Sequence, residues 1–346
     1  MIFKNKQFWG TIVALALMAF CLKDMTLEGL QSLSQRLDFF YVIPAILCSF
    51  FYVVCRGFRW RLLVSPQKNI KFFRSIGLYS AGQVLNIVMP ALTGQVGRMF
   101  LFSRKERLKK TIIFSTIVLE ILFDALSLIL ILMVASLVFA FPREYRSLSL
   151  IFAGVTIMGL ALLYLILHKQ SQVEEMCRVH LRPRWPGVYI VFKKFVRSFT
   201  KGIELLRSTG HFSRSMLYSI VAWLSHTLVI YFLFKSFGLG LPFASAGLVM
   251  VINTVAMMIP ITPGNAGTFE VAVSTTLSAF SIARSDAVLF AIGLHLLDLL
   301  PIFSFGFLFV HLEKVSISEI SKKQSDHTIL DEVSEDGVVM EPEEQA

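Results

Sequence analysis

Four acidic side chains interrupt long apolar runs of this chain: Glu120, Asp124, Glu270 and Asp298. An ionised side chain at the centre of a bilayer costs about 2.5–3.5 kcal/mol on insertion scales, so each is a functional candidate. Glu120 and Asp124 stand four apart in S-T-I-V-L-E-I-L-F-D-A-L and share one helix face. Such a pair can serve as acid and base, contact a cationic group, or neutralise an arginine. Arg98 is the candidate partner. A purely structural ion-pair network is the alternative. His295 and Asp298 stand three apart in A-I-G-L-H-L-L-D-L-L-P and form a candidate proton relay. No second His or Cys lies at ligand spacing, so no metal site is expected. His226 stands alone in its apolar run and reads as a packed, hydrogen-bonded imidazole.

Two stretches repeat one pattern around these residues. The first is Asn86-I-V-M-Pro90-A-L-T-Gly94-Q-V-Gly97. The second is Asn253-T-V-A-M-M-I-Pro260-I-T-Pro263-Gly264-N-A-Gly267. Proline removes a backbone donor and glycine loosens a helix, so both segments should break. Broken backbone at membrane depth is tolerated only inside protein or along a polar cavity. A matched pair of interrupted segments is a pointer to a binding site between internal repeats. Helix N-termini exposed by such breaks attract anions. Amides of Gly94–Gly97 and Gly264–Gly267, with Arg98 and the cytoplasmic Arg56, Arg59 and Arg61, would suit a phosphate group. Glu270 falls in the first turn after Gly267, where it is either a helix cap or a proton or cation handler.

The elements that must hold these residues are membrane helices. The 346-residue chain is 55% hydrophobic and 16% charged, with net charge +10 and mean hydropathy +0.69. A soluble globular protein carries roughly 25% charged residues. Spanning candidates are Phe8–Leu22, Phe39–Cys55, Ile112–Phe141, Leu148–Leu167, Met216–Phe237, Pro242–Pro260 and Ala287–His311, and the broken motifs lie in or against Ile76–Gly97 and Thr262–Ala283. Phe8–Leu22 lacks a following cleavage site and reads as a retained span. Arg56–Lys110 carries twelve basic residues against one acid, and His168–Ser215 carries ten against three. Both are therefore expected on the cytoplasmic side, with both termini. The charge is uneven in this way, which points to anionic lipid and not to nucleic acid. The same counting makes Ile76–Gly97 enter and leave from the cytoplasm and Pro242–Ala283 from the opposite side. That is an inverted repeat of two re-entrant segments.

Residues 168–215 form a basic loop in which Val188, Val191, Phe192, Phe195, Phe199, Ile203 and Leu206 share one face of an expected amphipathic helix. Residues 316–346 are expected to be a disordered cytoplasmic tail, acidic from Ser325 onward. The four cysteines show no disulfide framework. No phosphate-binding loop, nucleophile elbow or H-E-x-x-H occurs, so no cofactor is expected and any transport is passive or ion-coupled.

The run L-N-I-V-M-P-A-L-T-G-Q-V-G-R resembles the N-x3-P-G-R-x-G-E-x-x-R motif of the lysylphosphatidylglycerol synthase transmembrane-region family, the flippase-like membrane proteins. S-T-I-V-L-E-I-L-F-D resembles its S-x-x-x-E-R-x-x-D stretch, and P-I-T-P-G-N-A-G-T-F-E its P-x-T-P-G-G-x-G-x-x-E stretch. The R-W-R-L-L run also fits. The resemblance covers about residues 1–315. It implies a polytopic fold with re-entrant helices and a lipid-handling role, and it maps the family pattern onto Asn86, Pro90, Gly94, Arg98, Glu120, Asp124, Pro263, Gly264, Gly267 and Glu270. The chain departs from the pattern at Leu92, Gln95 and Ile121, which reads as the loss of an ion-pair set. No soluble aminoacyl-transfer domain follows, so the chain is not expected to be an enzyme.

The expectation is thus an all-α polytopic membrane protein of about seven spans plus two re-entrant segments, in the bacterial cytoplasmic membrane. It would move a phosphate-headgroup lipid or lipid-linked intermediate between leaflets, with the substrate held by Asn86, Pro90, Gly94, Gly97, Arg98, Glu120, Asp124, Asn253, Pro263, Gly264, Gly267 and Glu270. A separate lipid-modifying enzyme and a second copy of the chain are candidate partners. The rivals are an intramembrane lipid transferase using Glu120 and Asp124, an ion-coupled solute transporter using Glu120, Asp298 and His295, and a non-catalytic scaffold.

Overall fold

The computed structural model describes residues 37–88, 93–145, 169–180, 182–187, 211–258 and 262–313, with scattered single positions elsewhere. The runs Phe8–Leu22 and Leu148–Leu167, most of the amphipathic stretch and the tail 316–346 lie outside them, as do Pro90 and Pro260. Every element among the described residues is helical.

Four helices are long and apolar enough to cross a membrane: α1 (Phe39–Val64), α4 (Lys110–Val138), α6 (His211–Ser236) and α9 (Arg284–Leu312). Their 26–29 residues give roughly 39–44 Å at 1.5 Å per residue, beyond a hydrocarbon core of about 30 Å. The other motif-bearing helices are shorter: α2 (Phe72–Val88), α3 (Thr93–Glu106), α7 (Phe243–Met257) and α8 (Thr268–Ser278). At 11–17 residues they reach only roughly 17–26 Å. The apolar run Pro242–Pro260 therefore yields a 15-residue helix instead of a full crossing. A further helix, α5 (Gln170–His180), lies in the basic loop.

The short helices form two hairpins, α2–α3 and α7–α8. Arg74 at the start of α2 donates from Nε to Glu106 Oε1 at the end of α3, 2.7 Å away. The base of this hairpin is tied further by Lys68 to Glu106, 2.9 Å, and by Arg74 and Lys105 to Glu313 after α9. Burial works against the Arg74 cation, but its bonds to Glu106 and Glu313 hold its pKa above the ordinary arginine value. This base adjoins the start of α4. The base of α7–α8 adjoins the other end of α4, where Phe139 meets Phe280 at 6.2 Å and Val138 and Phe243 line one groove. α1 and α6 lie antiparallel, joined by Asp38 N–H to Ser236 O at one end and Ser65 to His211 Nδ1 at the other, both 2.9 Å.

The hairpins touch at their tips. A Cβ placed on Gly264 would meet Ile87 Cγ2 at 3.5 Å. Gly94 lies so close to α2 that a Cβ there would stand 2.5 Å from Asn86 Cα, which explains glycine at the first break. At the second break the requirement is conformational, with Gly264 at φ 61° and Gly267 at φ 84°.

Candidate functional site

Below the tip contact, α1, α3, α4 and α6 enclose a charged cluster. Arg98, on α3, donates from Nη2 to both carboxylate oxygens of Glu120, at 2.8 and 2.7 Å. Both residues are buried, at 2% and 3% exposure. Asp124, one turn along α4, does not share Arg98. It accepts from Arg56 Nη2 at 2.7 Å, from the fully buried Arg59, and from Trp223 Nε1 at 2.9 Å. Arg59 also donates to Ser219 at 2.6 Å. Aromatic faces close the cluster. Arg98 and Arg56 lie 5.1 and 5.8 Å from the Tyr79 ring, and Arg56 stands over Tyr52 and Trp223 as well. Such stacking suits guanidinium, whose planar ion is weakly hydrated.

The cluster is unbalanced. Three guanidinium groups, Arg56, Arg59 and Arg98, face two carboxylates, Glu120 and Asp124. The Nε–H of each arginine is buried without an acceptor among the described residues. Among the described residues, these direct pairs leave one guanidinium more than carboxylates and three donors without acceptors, in a site where an unpaired polar group is costly.

Arg56 and Arg59 are members that the sequence placed in a cytoplasmic loop. The apolar run ends at Cys55, but α1 continues to Val64, so both arginines sit on the helix body. The spacing Tyr52, Arg56, Arg59 on one helical face was the available signal. Arg61 does stay at the exposed end, where it donates to Asn69 at 3.2 Å.

A second polar set begins at the other hairpin. Glu270 accepts the Gly267 N–H at 2.6 Å, so it does cap α8. Its other oxygen lies 2.7 Å from His295 Nδ1. Phe269 stacks on the His295 ring at 4.2 Å, nearly parallel. His295 therefore pairs with Glu270 and not with Asp298, and Asp298 is instead 2.9 Å from His226 Nε2. His226 is the packed, hydrogen-bonded imidazole expected of it, and it also stacks on Tyr52 at 5.0 Å. Because Tyr52 accepts from Arg56, the two sets are joined as Arg56–Tyr52–His226–Asp298, with His295–Glu270 one turn away on α9.

Among the other residues of the two motifs, Asn86 supports Gly94 and Gly97 is buried. Asn253 is fully buried, and among the described residues neither its amide nitrogen nor its oxygen has a partner. Thr262 Oγ1, Asn265 Oδ1, Thr268 Oγ1 and Gln95 Oε1 are also buried without partners among the described residues. Pro263 begins the short 3-10 turn Pro263–Asn265. Of the departures from the family pattern, Ile121 is 56% exposed, so its side chain takes no part in the arginine cluster. No group of three metal-ligating side chains occurs among the described residues.

An all-helical membrane protein with two broken hairpins and a buried arginine–carboxylate cluster beside the first is the class that this architecture defines. The chain belongs to the lysylphosphatidylglycerol synthase TM region family, whose model matches residues 7–306. It is similar to a UPF0104 membrane protein of Pyrococcus horikoshii, 24% identical over 303 residues that cover 82% of this chain and 90% of that protein. No solved structure matches it. Membership links the chain to membranes and to lipid or lysyl-lipid handling.

Proposed function

We propose that this protein is a lipid translocator that carries a phosphate-headgroup lipid, or a lipid-linked intermediate, between leaflets of the cytoplasmic membrane. The observation that carries this reading is that, among the described residues, three guanidinium groups directly pair with only two carboxylates and each of Arg56, Arg59 and Arg98 keeps an Nε–H without an acceptor. A phosphate supplies both the charge and the acceptors, and arginine is well suited to it. The acyl chains would remain in the bilayer. The hairpins α2–α3 and α7–α8 act as an inverted pair, re-entering from the cytoplasmic and outer faces. Their bases at opposite ends of α4 and their contact at Ile87 and Gly264 support that arrangement. The basic base of α2–α3, with Lys68, Arg74 and Lys105, supports its placement at the cytoplasmic face.

Glu120 and Asp124 are read as organisers of the arginines and not as an acid and a base. Each is already held by one or more guanidinium groups, Glu120 by Arg98 and Asp124 by Arg56 and Arg59. The protein therefore acts without covalent chemistry, and a separate enzyme would make or consume the lipid.

The test uses reporter lipids in sealed proteoliposomes. Arg98→Lys keeps a cation opposite Glu120 but removes the Nε–H and the planar fork. It is expected to fold, by its gel-filtration profile, and to lose at least about tenfold in translocation, the equivalent of one charge-assisted hydrogen bond. Translocation at the wild-type rate in Arg98→Lys and in Arg59→Lys would remove the arginine cluster from the substrate path.

A further inference from the structure

At the second hairpin a buried carboxylate faces the break and is paired with an imidazole. Glu270 bonds on one side to the Gly267 amide, at 2.6 Å, and on the other to His295 Nδ1, at 2.7 Å. Gly267 lies at the break itself, with φ 84°, and α8 starts at the next residue. Glu270 is buried and the His295 ring is fixed by Phe269. The proton count of the pair therefore acts directly on the backbone of the break.

We infer that the Glu270–His295 pair is a proton-binding site whose loading resets the start of α8, and that it couples translocation to a proton gradient. This rests on the lipid-translocator reading and names its energy source. Without the proton, neutral His295 leaves Glu270 as a net negative charge inside the protein, held by the Gly267 amide and the N-terminus of α8. With one proton bound, the imidazolium and carboxylate sum to zero, and the charge on Glu270 is divided between His295 and Gly267. The grip on Gly267 loosens, and the hairpin is free to shift as a neutral unit, which a low-dielectric interior favours. One proton enters from one aqueous phase, resides on the pair, and leaves to the other.

Among the described residues few titratable groups lie on the helices around the pair, and α2, which packs on α9, carries Arg74 and Tyr79. On α8 Glu270 is the only titratable residue, and α7 carries none. On α9 Asp298 lies one turn from His295, and across from it stands His226 on α6. Tyr52 and Arg56 of α1 stand behind His226. Thr262, Asn265 and Thr268, with buried oxygens lacking partners, occupy the break. The permanent charges thus gather in the arginine cluster, and the titratable pairs gather along α9.

Two measurements on the full-length chain in membranes test this. Hydrogen exchange of the segment 266–271, corrected for intrinsic pH dependence, is expected to show about tenfold lower protection at pH 5.5 than at pH 8, the scale of one helix cap. His295→Gln is expected to abolish that pH dependence, and Arg98→Lys to retain it. In proteoliposomes, a proton gradient is expected to speed wild-type translocation of a phosphate-headgroup reporter several-fold, and His295→Gln to run at one rate with or without the gradient. Equal protection at both pH values overturns the inference. So does a wild-type rate indifferent to the gradient, which leaves the translocator reading standing. Absence of translocation under every condition overturns both.

Discussion

The two hairpins are built on one plan and solved by different physics. In α2–α3 the chain passes a place with no room: Gly94 abuts the backbone of Asn86, and the arginine beyond it is locked to Glu120. In α7–α8 there is space at Gly264, and the need is for left-handed backbone at Gly264, Asn265 and Gly267. The first break leads into a buried guanidinium–carboxylate pair. The second leads into a histidine–carboxylate pair and a set of neutral oxygens without partners among the described residues. A fixed-charge half suits holding an anion, and a titratable half suits moving in response to a proton. Two halves of similar sequence can thus divide binding from driving.

The largest effect that separates them is expected from charge removal. Arg98→Ala strands Glu120 in the interior and should cost about 3–5 kcal/mol in unfolding stability. Removing Glu120 as well, as Arg98→Met/Glu120→Met, should recover most of that loss in detergent thermal unfolding. A double variant no better than the single would mean that the arginine acts elsewhere. Next is Gly94→Ala, whose methyl meets backbone at 2.5 Å and should cost about 1–3 kcal/mol by overpacking. Gly264→Ala should cost about 1–2 kcal/mol for its left-handed backbone. Asparagine separates the two causes, since it tolerates that conformation. Gly264→Asn should be milder than Gly264→Ala, and Gly94→Asn worse than Gly94→Ala. The reverse order would erase the distinction between a steric and a conformational break. On the same scale, Trp223→Phe removes one donor from Asp124 while the two arginines remain, for about 1.5 kcal/mol in the same unfolding assay. Arg74→Ala, at the partly buried base of α2–α3, leaves Glu106 its Lys68 partner and should cost only about 1 kcal/mol, less in high salt.

Local chemistry made the first hairpin easier to read than the second. Arg98 as partner of Glu120 was legible because a buried acid in an apolar helix demands a cation, and one stood beside the break. The short helices were legible from proline and glycine. Arg56 and Arg59 were misplaced because hydropathy ends a span at the first charge, whereas α1 continues through Val64 with both arginines turned to Asp124. The exchange of histidine partners was hidden for a related reason. Spacing of three on α9 puts His295 and Asp298 on one face, but their true partners come from α8 and α6, and contacts between helices leave no periodic trace. Pro242–Pro260 read as a span by composition, while its helix ends at Met257 and turns back.

The most direct test of the central claim compares two reporter lipids in the same proteoliposomes, one with a phosphate headgroup and one a neutral glycolipid with the same acyl chains. The arginine cluster predicts that the phosphate lipid crosses in wild type, that the glycolipid does not, and that Arg98→Lys slows only the phosphate lipid. Equal rates for both lipids, unchanged by Arg98→Lys, would contradict a phosphate site among Arg56, Arg59 and Arg98.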